Sequence, residues 1–205
     1  MRRWALLVAV TAVLAGAGVA AAASLGLSSA SLTVTTKTLT RQTCTIAPSQ
    51  DTYVDSTRKS SSFGSSPSLL VSRNSLIGYL QFDLTGCSFP GGATVDSASL
   101  RVVVTATPSS RTLSVYPATS AWAPSMTWNG GQPTYASPAS ATIATGATTG
   151  MKSTDVTADV DGWLTGATTN FGWRIADDGG GNATTTLGSM EDSGNAPSLV
   201  VTYVY

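Results

Sequence analysis

The 205-residue chain contains no histidine. Histidine is the commonest general base, the usual partner of serine in hydrolase triads and the commonest metal ligand, so its absence excludes most of these mechanisms. A glycosidase needs only two carboxylic acids and has to be weighed separately. The single glutamate, Glu191, lies beside Asp192 in a polar stretch, and no pair of carboxylates is marked as poised for catalysis. We therefore expect a protein that is not an enzyme.

Charged residues are scarce, at 11% of the chain, and neither sign dominates, since 11 basic residues face 11 acidic ones. Binding to nucleic acid or to an anionic membrane surface normally requires a basic surplus, so neither partner is expected. Serine, threonine and glycine dominate the polar remainder. Such a surface suits an extracellular protein that contacts uncharged polar partners as well as water.

Long apolar runs are rare too, and only one approaches the length of a membrane span. It extends from Ala5 to about Ala20, follows two arginines and ends in a stretch of alanines. A basic start, an apolar segment and small residues at its end are typical of a secretory signal peptide. We expect residues 1–23 to be a signal peptide that is cleaved from a secreted protein, with an uncleaved membrane anchor as the alternative.

Only two cysteines are present, Cys44 and Cys87. In a secreted chain we expect them to form a disulfide bond with each other. By closing the loop between them, this bond would stabilise the fold by roughly 4 kcal/mol. A metal site is the alternative, but two thiols without any histidine make a weak ligand set.

The rest of the chain consists of short segments in which apolar and polar residues alternate, separated by turn-forming residues. Alternation with a period of two predicts strands that bury one face. The clearest segments are 78–84, 98–104, 111–116, 171–175 and 198–203. Many short strands with regular turn signals favour an antiparallel β-sandwich or barrel. We assign residues 44–205 to one such domain, and residues 24–43 to a Ser/Thr-rich stalk or a first edge strand.

One segment departs from this alternation. From Asp155 to Gly166, apolar residues that include Val160 and Trp163 recur at helical spacing. We expect one short amphipathic helix that is capped by Asp155 or Ser153 and closes one end of the sandwich.

Several short motifs follow one another in a characteristic order between Cys44 and Tyr205. They are Asp51-Thr52-Tyr53-Val54-Asp55, Tyr79-Leu80-Gln81-Phe82-Asp83-Leu84, Met126-Thr127-Trp128-Asn129 and Pro197-Ser198-Leu199-Val200-Val201-Thr202-Tyr203. In this order and spacing they resemble the DNRLRE (disaggregatase-related) domain family. The resemblance implies an all-β fold, a jelly-roll-like antiparallel β-sandwich of secreted and cell-surface proteins, and a carbohydrate-binding role in some members. Some of those members bind acidic polysaccharide, but Gln81 stands where the family usually has a basic residue.

Sugars are bound by aromatic rings that stack on their apolar faces and by planar polar side chains that bond to their hydroxyl groups. The alternation places five such residues at outward positions of the predicted strands, which we expect to form one outward sheet face, and a sixth in a nearby turn. These candidate ligand-binding residues are Tyr79, Gln81, Arg101, Tyr116 and Arg174, with Arg73 in the turn. A solvated surface with no ligand is the alternative interpretation.

The tryptophans are the other candidates for sugar stacking. Residues 126–128 look like a short strand, Trp163 lies on the apolar face of the predicted helix, and Trp173 alternates with Ile175. We expect these rings to pack in the core. The position of Trp122, six residues before Trp128, is the least constrained by the pattern.

A polar stretch around three consecutive glycines is the one candidate metal site. Asp177, Asp178 and Asn182 offer the oxygen ligands that Ca²⁺ takes, so a structural Ca²⁺ is the candidate cofactor and no other cofactor is expected. The alternative is an ordinary polar hairpin turn, in which Asp and Asn supply the turn chemistry.

These observations together predict a secreted, non-catalytic β-sandwich that binds extracellular or cell-wall polysaccharide. The alternative is a structural or adhesive cell-surface protein without a soluble ligand.

Overall fold

The computed structural model describes residues 38–106, 110–179 and 182–205. The predicted signal peptide, residues 1–23, and residues 24–37 of the predicted N-terminal segment lie outside these ranges. Within them, no helix combines the length and the apolar character that a membrane span requires.

The described residues form strands, one short α-helix and one turn of 3-10 helix at Leu84–Gly86. The strands are β1 (Arg41–Ile46), β2 (Pro48–Asp55), β3 (Ser68–Val71), β4 (Leu76–Phe82), β5 (Thr94–Ala106), β6 (Thr112–Pro117), β7 (Ala141–Ala144), β8 (Gly150–Asp155), β9 (Trp173–Ala176), β10 (Thr185–Gly188) and β11 (Ser198–Val204). The helix α1 spans Thr157–Leu164.

Six strands form sheet 1, in the order β1-β11-β5-β10-β3, with β8 also paired to β5. Every pairing is antiparallel. Strand β5 is the axis of this sheet, because Arg101 pairs with Ser198 of β11 on one edge and with Ser153 of β8 on the other. Further along β5, β10 continues the edge that β11 occupies.

The other five strands form sheet 2, in the antiparallel order β2-β4-β9-β6-β7. The inward side chains of the two sheets pack into one hydrophobic core. The predicted all-β antiparallel sandwich with one short helix is therefore confirmed.

The alternation read from the sequence corresponds to the packing of the core. The inward residues are fully or almost fully buried, and they include Leu80, Phe82, Ala98, Leu100, Val102, Val104, Leu113, Val115, Trp173, Ile175, Leu199 and Val201. Burying one large aliphatic or aromatic side chain contributes about 1.5–3 kcal/mol before the entropy of ordering is subtracted. Period-two burial is thus the main determinant of these strands.

Helix α1 closes one end of the core, as expected. Val160 and Trp163 are buried, and the Trp163 ring lies 4.6 Å from the Trp173 ring, measured between centroids. The N-cap residue is Val156, not Asp155 or Ser153, so this part of the prediction is wrong by at least one residue. Asp155 still supports the first turn, because its carboxylate accepts a hydrogen bond from the Thr157 backbone N–H at 2.8 Å.

The predicted disulfide bond between Cys44 and Cys87 is present, with a Cα–Cα distance of 6.1 Å. Cys44 lies on β1 at the edge of sheet 1, and Cys87 follows the 3-10 turn after β4 of sheet 2. The bond therefore ties the two sheets together at one edge of the sandwich.

The compact unit extends from Thr38 to Tyr205, so it begins before the predicted boundary at residue 44. Strand β1 starts at Arg41 and pairs with β11, while Thr40 and Tyr205 exchange two backbone hydrogen bonds. The last residues of the predicted N-terminal segment thus form part of an edge strand.

Candidate functional site

A long loop, residues 118–135, packs on the outer face of sheet 2. Three outward side chains of this sheet, Val54, Ile77 and Tyr79, are apolar and would expose a hydrophobic patch without a cover. Trp122 and Met126 of the loop complete a second hydrophobic cluster with them. The loop is therefore held by burial of apolar surface, as a core element is.

Hydrogen bonds set the position of this loop. The Tyr79 hydroxyl donates to Gln132 Oε1 at 3.0 Å, and Gln132 Nε2 donates to the Trp128 carbonyl oxygen at 2.8 Å. The Trp122 indole N–H donates to the Phe171 carbonyl oxygen at 2.8 Å. Burial raises the pKa of Tyr79 to about 12, against the charge of Arg174, which lowers it. The neutral hydroxyl is thus a stable donor to the loop.

Between this loop, the turn after β3 and the end of β9 lies a cleft of about 210 Å³, which we call the outer cleft. Its lining includes Asn74, Trp128, Arg174 and Asp178. Trp128 is partly exposed and packs against the second hydrophobic cluster. Asn74 has a φ of 56°, a left-handed conformation that asparagine tolerates better than most residues.

Arg174 is held at the outer cleft by aromatic rings. Its guanidinium carbon lies 4.4 Å from the ring centroid of Tyr135 and 5.2 Å from that of Tyr116. Contacts of this kind between a cation and aromatic faces contribute about 0.5–1 kcal/mol at exposed sites. The Tyr135 ring is 46% exposed, so this group presents both an aromatic surface and a cation to solvent.

Asp178 places a negative charge beside the cation. Its carboxylate accepts a hydrogen bond from the Tyr116 hydroxyl at 2.5 Å. Partial burial opposes ionisation, but hydrogen bonds from Ser114 and Tyr116 and the charge of Arg174 lower the pKa of Asp178 below its usual value. The outer cleft therefore holds an ionised carboxylate and a guanidinium side by side.

The expected metal ligands are engaged separately. Both oxygens of Asp177 accept from Arg111, with distances of 2.6 Å from Nε and 2.7 Å from Nη2. The Asp178 carboxylate faces Tyr116, and Asn182 is exposed, with its backbone carbonyl 3.4 Å from Ser72 Oγ. In the ranges described, no three His, Cys, Asp or Glu side chains come together as a metal site. Ca²⁺ binding by these three residues stays a prediction, and the Arg111 pair does not favour it.

The predicted ligand-binding residues do not share one open face, and this expectation has to be corrected. Arg174 lines the outer cleft, Tyr116 borders it, and Arg73 is exposed in the turn between two lining residues. Tyr79 and Gln81 belong to the same sheet face, but the Tyr79 side chain is only 1% exposed.

Gln81 and Arg101 depart further from the expected arrangement. The Gln81 amide donates to the Asn170 carbonyl oxygen at 2.9 Å and accepts from Gln50 at 2.6 Å, so it holds neighbouring segments together. Arg101 is an outward residue of β5 and therefore lies on sheet 1, on the opposite side of the sandwich. Alternation in one strand separates inward from outward, but it does not say which sheet the strand joins.

Trp128, Tyr135 and Asn74 belong to the site but were not among the predicted site residues, and Asp178 was predicted only as a metal ligand. Residues 126–128 do not form the expected strand, because only a single bridge joins Thr127 to Gly130. Trp128 packs against a hydrophobic cluster as expected, yet it also lines the outer cleft. Tyr135 lies in a loop without periodicity, so no sequence signal marks it. For Asn74 the one available signal is an asparagine between Arg73 and Ser75 in a short polar turn.

The chemistry of the outer cleft is that of a polar ligand site with aromatic surfaces. Partly exposed rings offer apolar contact, and guanidinium, carboxylate and amide groups offer hydrogen bonds in fixed directions.

Comparison with known proteins identifies a match over most of the chain. Residues 42–203 match the model of carbohydrate-binding module family 96. No curated protein matches the chain in sequence.

Proposed function

The chain belongs to carbohydrate-binding module family 96, and from this premise we propose that it is a secreted, non-catalytic module. Its ligand is an extracellular or cell-wall polysaccharide, and the outer cleft is the binding site. Trp128 and Tyr135 supply ring surfaces for the apolar faces of the sugar, while Arg174, Asp178 and Asn74 bond to its hydroxyl groups.

The observation that carries this proposal is the position of Arg174, which lines the cleft and packs against the rings of Tyr116 and Tyr135, two rings that also contact each other. A side chain that is already ordered loses little rotamer entropy on binding, whereas a free arginine loses about 0.5–1.5 kcal/mol. Planar donors of this kind suit the hydroxyl pairs of a sugar ring.

The test is affinity electrophoresis of the purified chain in gels that contain neutral or acidic polysaccharides, followed by calorimetry with any polysaccharide that retards it. Arg174→Gln removes the charge and the guanidinium contacts with the rings but keeps the aliphatic stem and a planar polar end. We expect it to weaken binding about tenfold or more, which corresponds to about 1.4 kcal/mol.

The matched control is Arg101→Gln, the same change on the outer face of sheet 1. We expect it to change affinity less than twofold. If no polysaccharide retards the unsubstituted chain, the proposal fails. If Arg101→Gln weakens binding and Arg174→Gln does not, the site lies on sheet 1 and the assignment to the outer cleft is wrong.

A further inference from the structure

A buried carboxyl group lies inside the sandwich, away from the outer cleft. Asp51 of β2 pairs with Leu80 of β4, a core residue, so its side chain points inward between the sheets. It is 1% exposed. Its Oδ2 accepts from the Met190 backbone N–H at 2.7 Å, whereas Oδ1 is buried with no hydrogen-bond partner. An unpaired buried carboxylate oxygen is costly and needs a positive or hydrogen-donating partner.

A second carboxyl group stands next to it. Glu191 follows β10, is exposed to solvent, and comes close enough to Asp51 for a hydrogen bond between the two carboxyl groups when one of them carries a proton. Within the described ranges, neither group forms an ion pair with a lysine or an arginine. Two carboxylates in contact cannot both be ionised without a compensating positive charge.

The groups around the pair add more acceptor oxygens than donor hydrogens. Ser189 Oγ lies 2.6 Å from the Ser66 carbonyl oxygen and 2.8 Å from Glu191 Oε2, and it accepts from the Glu191 backbone N–H. A hydroxyl has one hydrogen, so Ser189 donates to only one of these two oxygens. Counting Asp51 Oδ1, the cluster therefore has more acceptor oxygens than donated hydrogens.

From this geometry we propose that Asp51 and Glu191, together with the Ser66 carbonyl oxygen, bind a hard divalent cation, with Ca²⁺ as the ion that fits best. Ca²⁺ takes oxygen ligands from carboxylates, carbonyls and water in a flexible arrangement, whereas Mg²⁺ demands near-ideal octahedral geometry. Two carboxylates balance its charge, and the exposed side of Glu191 admits the water ligands. The site joins β2 of sheet 2 to the turn between β10 and β11 of sheet 1.

A proton is the natural competitor of the cation. Burial raises the pKa of Asp51 to about 7; the Met190 N–H opposes the shift, and the proximity of Glu191 adds to it. The cation test is therefore best made above neutral pH.

The test uses the full secreted chain after treatment with a chelator and dialysis. Calorimetric titration with CaCl₂ at mildly alkaline pH should show one Ca²⁺ per chain with a Kd of about 10⁻⁴ to 10⁻³ M, the range of extracellular modules. Saturating Ca²⁺ should raise the thermal midpoint by several degrees, since a ligand that binds only the folded state stabilises it.

Two variants remove the ligands. Asp51→Asn keeps an acceptor for the Met190 N–H and gains a donor toward Glu191, and Glu191→Gln changes an exposed side chain, so at least the second should fold. Both should abolish the heat signal and the Ca²⁺-dependent shift. Asp161→Asn, on α1, removes an equal charge elsewhere and should leave both signals unchanged.

Three results would overturn the proposal. The first is that the unsubstituted chain shows neither heat nor a thermal shift with Ca²⁺, in which case the pair holds only a proton. The second is that Ca²⁺ binding survives in Glu191→Gln and in Asp51→Asn. The third is that binding is lost in Asp178→Asn instead, which would move the ion to the glycine-rich turn. None of these readouts involves a polysaccharide, so failure here leaves the proposed carbohydrate site intact.

Discussion

The outer faces of the two sheets differ in what their outward residues are. On sheet 1 the outward positions carry a mixture of hydroxyl, charged and aliphatic side chains, among them Ser99, Arg101 and Val103, which are partly exposed. On sheet 2 they carry Ile77 and Tyr79, which are buried beneath the loop 118–135. A face whose apolar residues are scattered among polar ones is stable in water, whereas a contiguous apolar face has to be covered. The cover creates the outer cleft, so the candidate site is a consequence of the apolar outward residues of sheet 2.

The largest expected effect comes from removing the centre of that cover. Trp122→Ala deletes a buried ring that contacts Tyr79 and donates to the Phe171 carbonyl oxygen. We expect the free energy of unfolding to fall by about 3–5 kcal/mol, as for other buried aromatic residues. Urea denaturation measures this loss in the free energy of unfolding. Val103→Ala, at an outward position of sheet 1, is the control and should cost less than about 1 kcal/mol. Equal losses would show that the two faces are not different in stability.

Acid should destabilise the end of β2, in sheet 2, through Asp55. Burial opposes ionisation, but hydrogen bonds from Thr57 and Arg58 lower the pKa of Asp55 to about 2, from an ordinary value of 3.8. A carboxyl group whose pKa is lower in the folded chain than in the unfolded chain stabilises the fold at any pH above its unfolded-state pKa. This stabilisation is lost as the pH falls towards the folded-state pKa. We therefore expect Asp55→Asn to be less stable than the unsubstituted chain at pH 5, and the gap to narrow between about pH 4 and pH 2.

Urea denaturation across this pH range measures the effect of Asp55. The control is Asp96→Asn, because the Arg41–Asp96 pair of sheet 1 is largely exposed and exposed pairs contribute little. A gap that stays constant with pH in Asp55→Asn would contradict the prediction.

The smallest expected effect concerns one hydroxyl group. Tyr79→Phe removes the donor to Gln132, which in turn holds Trp128, and should cost about 1 kcal/mol. Hydrogen exchange in residues 118–135 should become faster. Tyr205→Phe, which removes an exposed hydroxyl next to Gln42 at the edge of sheet 1, should change stability by less than about 0.5 kcal/mol. Unchanged exchange in the loop would mean that Gln132 does not anchor it.

The local pattern of apolar and polar residues was sufficient to predict the strands and α1. Leu80 and Phe82, or Leu100 and Val102, are predicted as inward because each strand buries alternate residues whatever its partners are. The helix cap was missed because Val156 occupies the cap position while Asp155 acts from one residue earlier. Capping depends on the exact point at which the backbone turns, and residue type alone does not set that point.

Only some residues of the candidate site could be predicted, because the site depends on which sheet each strand joins and on which loop covers it. Arg101 and Arg174 have the same sequence signature, a basic residue at an outward strand position, yet they lie on different sheets. Tyr79 points outward from its sheet, as predicted. It is nevertheless buried, because a loop distant in sequence packs over it. Contacts of this range leave no trace in a local pattern.

The amino-acid sequence by itself determined the all-β sandwich, the inward faces, the short helix and the disulfide pairing of Cys44 with Cys87, because these depend on local periodicity and on the only two thiols present. The tertiary structure alone decided that Trp128 and Arg174 line one cleft with Tyr135 packed against Arg174, and that the exposed Glu191 comes next to the buried Asp51. The physical reason is that side chains far apart in the chain become neighbours only when sheet order and loop packing, driven by burial of apolar surface, are complete.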